Sequence, residues 1–224
     1  TDLDLPAAIW SDRPPQPRAP VIEHALAWSH TPRSDKLGRV RTAMRKLGAT
    51  HHLVSSLDDV AWLTNLRGSD VECNPVFLAH LLVVAEGKAT LFVDRSKLSD
   101  ALVAALAHDG IRIADYATVT DALGELGAAD TLLLDPAKVV CAVAHAVPAA
   151  VKRIEAANPS TAMKARKSEA ELEHIRDTMR RDGAALVRAF RRLEERLAAG
   201  MAQTELDVDT LVREFERPVA AVVK

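Results

Sequence analysis

Cysteine is almost absent: Cys73 and Cys141 are the only two. Two thiols are too few for a disulfide framework and show no paired metal spacing, so a reducing cytosol fits better than secretion. Aromatic residues make up only 4% of the chain, which leaves Ala, Leu and Val to fill the core. The nine glycines form no phosphate-cradling loop. There is no Gly-x-Ser-x-Gly elbow, and neither cysteine sits in a sequence that marks a reactive nucleophile. An excess of one charge is also missing: 29 basic against 31 acidic residues give a net charge of -2, with no electrostatic pull toward nucleic acid or an anionic membrane surface. No apolar run approaches the roughly 18 residues that span a bilayer, and the start has neither the basic end nor the apolar centre of a signal peptide. These absences together describe a cytoplasmic, non-membrane chain. Its start at Thr1 without a methionine points to a processed or partial chain.

What is present is an alternation of helix and strand signals. Residues 1–33 carry Pro6, Pro14, Pro15, Pro17, Pro20 and Pro32, a density that forbids long helices and reads as a lead-in. From Ser34, a candidate N-cap, apolar residues at 37, 40, 43, 44 and 47 predict a helix closed by Gly48. A strand over 50–55 follows, then a helix over 57–63 with Asp58 and Asp59 in its first turn, where the dipole favours acids. The runs 76–85 and 89–93, joined by Glu86-Gly87-Lys88, read as an antiparallel hairpin. Helices over 99–108 and 119–126 alternate with strands over 111–113 and 131–134, and 139–151 is helical in part. This alternation predicts α/β layers around a mixed sheet. Asn158-Pro159 marks a boundary, after which apolar residues from Leu172 to Leu197 line one face of a long charged helix over 168–199. A second amphipathic helix begins at Thr204.

Between the helix over 57–63 and the hairpin lies a polar loop carrying Asn65, Arg67, Ser69, Asp70 and Asn74, with Gly68 read as permitting its turn. Arg67 and Asp70 either pair with each other or cap neighbouring backbone, or the loop meets something outside the chain. Histidines offer no competing metal site. His51 and His52 point to opposite faces of their strand, and His80 in an apolar strand reads as a satisfied core histidine. The acids between Glu169 and Asp177 read as a solvated helix face.

The string Asn65-Leu66-Arg67-Gly68-Ser69-Asp70, with Asn74-Pro75-Val76-Phe77 after it and Asp59-Val60-Ala61-Trp62-Leu63 before it, resembles the middle domain of three-domain Xaa-Pro aminopeptidases. Trp10 to Pro14 is similar to the segment leaving that family's first domain, and Lys164 to Arg176 to the linker and first helix of its catalytic domain. The resemblance implies a creatinase-like α/β domain with a mixed sheet over 34–160, and the helical start of a truncated pita-bread catalytic domain over 161–224. It implies that the full-length enzyme holds two divalent metals, commonly manganese, on ligands beyond residue 224, and that it removes the residue preceding proline from peptides. It also implies a cleft-facing role for Asn65, Arg67, Ser69, Asp70 and Asn74 in positioning substrate. This chain by itself is expected to hold no metal and to be non-catalytic, with a homodimer or the missing catalytic domain as partner. A reading from another class makes it an interaction module or shortened paralogue that binds a partner through its C-terminal helices.

Overall fold

The computed structural model describes residues 9–223, with side chains from 9 to 216. Pro6 and the rest of the first eight residues of the lead-in lie outside the described residues. The chain divides into two compact units, Thr1–Arg166 and Lys167–Lys224.

The first unit is built on a six-stranded sheet of β2 (His51–Val54), β4 (His80–Val84), β5 (Ala89–Phe92), β6 (Ile111–Ala114), β7 (Thr131–Leu134) and β8 (Lys152–Glu155), in the order β6-β5-β4-β2-β7-β8. The predicted hairpin is present, β4 against β5 with Leu81 opposite Leu91, and β2 lies between antiparallel β4 and parallel β7. The mixed α/β sheet flanked by helices is therefore as the sequence predicts. Alternation of side chains along β4 separates two cores. Leu81 and Val83 face the helices α2 (Arg33–Leu47), α3 (Leu57–Thr64) and α4 (Asp100–His108) through Leu37, Val40, Leu63 and Leu106, while Leu82 joins Leu53, Phe92 and Leu132 beneath α5 (Val119–Gly124) and α6 (Cys141–His145).

Several boundaries differ from expectation, each for a local reason. Helix α2 starts at Arg33, with Pro32 rather than Ser34 in the cap position, and Gly48 closes it at φ 72° as predicted. Strand β4 starts at His80, not 76, because the backbone of 75–78 is taken by the preceding loop: Gly68 N donates to Pro75 O at 3.3 Å and Asp70 N to Val76 O at 3.1 Å. Strand β8 is absent from the sequence reading. It is an edge strand whose Lys152, Arg153 and Glu155 face solvent, so it carries no apolar period. Asn158-Pro159 opens helix α7 (Pro159–Ala165), with proline in the first turn where its missing N–H costs nothing.

The lead-in is tied onto the first unit. Val21 N donates to Lys97 O at 2.9 Å, and β1 (Ile22–Glu23) pairs antiparallel with β3 (Leu66–Arg67). Arg33, only 6% exposed, bridges Glu23 and Asp109. The short helix α1 (Leu26–Ser29) lies between them in sequence.

The second unit is a helical pair, α8 (Glu169–Ala198) and α9 (Glu205–Val223). Ser168 and Glu171 form a reciprocal cap at the start of α8, and Thr204 and Asp207 do the same before α9. Ala185, Ala189 and Leu211 are buried, whereas Ile175, Met179, Phe190 and Leu197 of the predicted stripe remain exposed. Asp177 pairs with Arg181 at 2.8 Å on the surface, in keeping with a solvated charged face.

Candidate functional site

Helix α3 ends because Asn65 adopts the left-handed conformation at φ 53°, which asparagine tolerates better than most residues. Its side chain is then consumed internally. Oδ1 accepts from Lys36 Nζ at 2.6 Å, Nδ2 donates to Thr31 O at 2.9 Å, and its backbone carbonyl accepts from His24 N. Asn65 is 2% exposed, so it is a fixture of the loop's base. Lys36 also donates to Trp62 O and lies 4.4 Å from the Trp62 ring centre, which places a buried cation under the end of α3.

The next residues fan out from that base. Arg67 donates through Nη1 to Ala61 O at 3.0 Å, which also accepts from Asn65 N where α3 ends, and to Leu66 O of β3 at 2.8 Å. Burial pushes its pKa down, yet an arginine remains protonated in a protein. Asp70 does not pair with it. The Asp70 carboxylate is fully buried, accepts from Leu78 N at 2.7 Å, and meets Lys97 Nζ at 2.5 Å. Of the two structural alternatives, the Arg67–Asp70 pair is therefore not formed, and the capping of nearby backbone is. Ser69 and Asn74 are exposed on the outward part of the loop, where Asn74 N closes a tight turn onto Val71 O at 3.2 Å with Cys73 at φ 59°.

Gly68 is required for a reason other than the turn flexibility read from the sequence. A β-carbon built there would lie 2.7 Å from Phe77 Cβ and 3.1 Å from Val76 O, so the loop and the approach to β4 touch backbone to backbone. Gly68→Ala is accordingly expected to cost about 1–3 kcal/mol of stability by overpacking. A lowered urea midpoint with unchanged m-value checks it, and an unchanged midpoint would mean that the contact gives way without strain.

Asp58 and Asp59 stand in the first turn of α3, where the sequence puts them. Neither caps the helix through a side-chain bond. Asp59 is 1% exposed and receives Ser56 Oγ at 2.6 Å, Asn158 Nδ2 at 3.2 Å and Thr161 Oγ1 at 3.2 Å, with Lys164 Nζ 3.1 Å away and Asp58 bound to the same lysine. This box fastens α7 to α3. Beneath it His52 is fully buried, its Nδ1 3.0 Å from Leu133 O, and burial lowers its pKa against the bond to Leu133 and the pull of Asp59 and Asp135. His80 is the satisfied core histidine expected: its Nδ1 lies 2.8 Å from Ser55 Oγ, and the ring stacks on Tyr116 at 5.1 Å. Among the described residues no three His, Cys, Asp or Glu side chains are grouped so that they could hold a metal ion.

The loop thus presents Ser69, Asn74 and part of Arg67 on a base held by Lys36 and Lys97, with Glu72 also exposed on its outward part. Residues 12–171 match the Creatinase/Prolidase N-terminal domain model. The chain belongs to that family. It is 37% identical over 201 residues to a probable Xaa-Pro aminopeptidase P of Neurospora crassa, a match covering 84% of this chain and 29% of the relative. It is 30% identical over 244 residues to aminopeptidase P2 of Arabidopsis thaliana, covering 96% and 34%. The chain therefore spans about a third of the length of these curated relatives. Its fold matches that of an X-prolyl aminopeptidase from Caenorhabditis elegans with a TM-score of 0.87 at 24% identity, covering 94% of this chain and 35% of that one. That protein is described as a cytosolic enzyme with a di-nuclear active site. In this family member, no helix among the described residues is long and apolar enough to cross a membrane.

Proposed function

We propose that this chain is the substrate-positioning and domain-packing segment of a metallopeptidase that removes the N-terminal residue preceding proline. The observation that carries this reading is the loop from Asn65 to Asn74: two buried lysines, Lys36 and Lys97, hold its base, while Ser69, Asn74 and the guanidinium nitrogens that the half-buried Arg67 does not spend on backbone carbonyls are left for outside contacts. Rigid presentation of a cation and two neutral donors suits peptide backbone and carbonyl groups, and positioning contributes to catalysis when a reacting centre lies nearby.

The reacting centre is assigned to the part of the relatives' length beyond this chain. A di-nuclear metal pair needs carboxylate and imidazole donors gathered in one place, and the described residues offer no such donor set. When bound in the rest of the enzyme, the pair, manganese in our reading, supplies an activated water and polarises the scissile carbonyl. The helices after residue 160 are read as the first of that catalytic domain, packing their exposed apolar stripe on its remainder or on a second copy. Localisation is cytoplasmic, and proline-containing peptides are the substrates. Nucleic acid and membranes are not partners.

Titrating an Ala-Pro peptide into the isotopically labelled 224-residue chain tests the positioning role. Saturable amide shifts confined to residues 66–76, abolished by Arg67→Ala, are the expected result. Shifts unaffected by that substitution would remove Arg67 from the role.

A further inference from the structure

Strand β3, which carries Arg67, has a neighbour on each side. On one side the chain at Pro75 reaches it through Gly68 N to Pro75 O at 3.3 Å, a long contact. On the other side β1 of the lead-in runs antiparallel, with Ile22 opposite Arg67 and Glu23 opposite Leu66, and His24 N donates to Asn65 O at 2.8 Å. The tighter backbone partner of Arg67 therefore comes from the lead-in.

Alternation along this two-stranded ribbon sorts its side chains. Leu66 is fully buried and faces the first unit, and Glu23 across from it lies on the same face. Arg67 and Ile22 share the other face, where Ile22 is 48% exposed. From the inner face Glu23 pairs with Arg33, the first residue of α2, whose side chain is buried. The same guanidinium binds Asp109, the residue that closes α4, through Nε at 3.0 Å. One buried cation thus fastens the ribbon to α2 and to the end of α4, and charge-assisted contacts of this kind are about twice as strong as neutral ones. The Glu23 side chain is itself half exposed, so its charge can be removed without opening the core.

We propose that Glu23 is a positioning residue for Arg67. By clasping Arg33 it holds β1 against β3, and so fixes the setting of the guanidinium whose Nη1 is tied to Ala61 O and Leu66 O. This assignment rests on the reading of Arg67 as a peptide contact, and it adds that the contact is set from the lead-in. Without the clasp, Val21 stays in the core and keeps its bond to Lys97 O, while Glu23 and His24 loosen from Leu66 and Asn65. The six-stranded sheet shares no strand pairing with the ribbon, so the change stays local.

The test is Glu23→Gln in the 224-residue chain, which keeps the size of the side chain and removes its charge. Amide exchange at His24 and Arg67 is expected to quicken at least fivefold, with exchange in β2 and β4 and the melting temperature unchanged. The Arg67 Nε–H resonance should narrow and move toward its position in an unfolded chain, a change that loss of packing elsewhere would not produce. Arg33→Gln should give the same changes, and the double variant no more than either single one, since both act through one pair. An Ala-Pro peptide should bind Glu23→Gln at least threefold more weakly than the native chain. Unchanged exchange at His24 and Arg67, an Arg67 Nε–H resonance left in place, additive effects of the two variants, or undiminished peptide affinity would each overturn the proposal. If the native chain binds no peptide, the peptide reading of Arg67 falls instead, and exchange and the Nε–H resonance still decide whether Glu23 sets Arg67.

Discussion

Replacing Lys97 with alanine is expected to destabilise the first unit by about 3–5 kcal/mol, because it strands the Asp70 carboxylate in a site with no access to water. The Lys97 and Asp70 side chains are 2% and 0% exposed, and among the described residues Leu78 N would be the carboxylate's remaining hydrogen-bond donor. Against a total of about 5–15 kcal/mol for a typical domain, a loss of this size moves the urea midpoint far to the left. The origin of the loss can be separated from simple truncation. A double variant, Lys97→Met with Asp70→Leu, removes both charges while keeping apolar volume, and it should recover most of the stability. It should still lose protection of the Leu78 amide, since the carboxylate that receives it is gone. Equal damage by the single and double variants would show that the pair acts through packing, not charge.

Replacing Asp59 with alanine is expected to cost on the order of 3 kcal/mol, because Ser56, Asn158 and Thr161 lose one shared acceptor in a buried site and Lys164 loses part of its charge partner. Helix α7 should fray first, visible as faster hydrogen exchange in Pro159–Ala165. The same carboxylate sets an acid dependence. Burial opposes its ionisation, but the bonds from Ser56, Lys164 and Asn158 outweigh that and hold its pKa below the usual carboxylate value. A folded pKa lower than the unfolded one means that the unfolded chain takes up the proton first as pH falls. The contribution is therefore complete above the unfolded value, about pH 3.9, and disappears as pH falls through the folded value. In urea melts at stepped pH, the gap between the native protein and Asp59→Asn should be constant above pH 4 and close below it. A gap that persisted in acid would assign the Asp59 contribution to shape alone.

The parts of this fold legible in the sequence are those carried by local apolar period. The buried face of α2 and the β4–β5 hairpin with its four-residue turn follow from residues close to each other in the chain. The parts that escaped are polar and distant. Lys36 reaches Asn65 across 29 positions, Lys97 reaches Asp70 across 27, and Asn158 reaches Asp59 across 99, and nothing in their local patterns distinguishes them from surface charges. Strand β8 escaped because an exposed edge strand has no apolar alternation to read. The candidate loop was legible as a loop, but its division of labour was not. Asn65 and Asp70 turned inward to hold it, Gly68 served close packing, and Ser69, Asn74, Glu72 and part of Arg67 kept groups for anything outside.

The central claim is that this chain positions and does not cleave. Its most direct test is hydrolysis of an Xaa-Pro peptide by the 224-residue chain with added manganese, on material whose intact mass matches the sequence. The account predicts no release of the first residue above the buffer rate. Turnover that follows the chain through purification, needs the metal and stops on chelation would place a metal site within these residues and contradict the account.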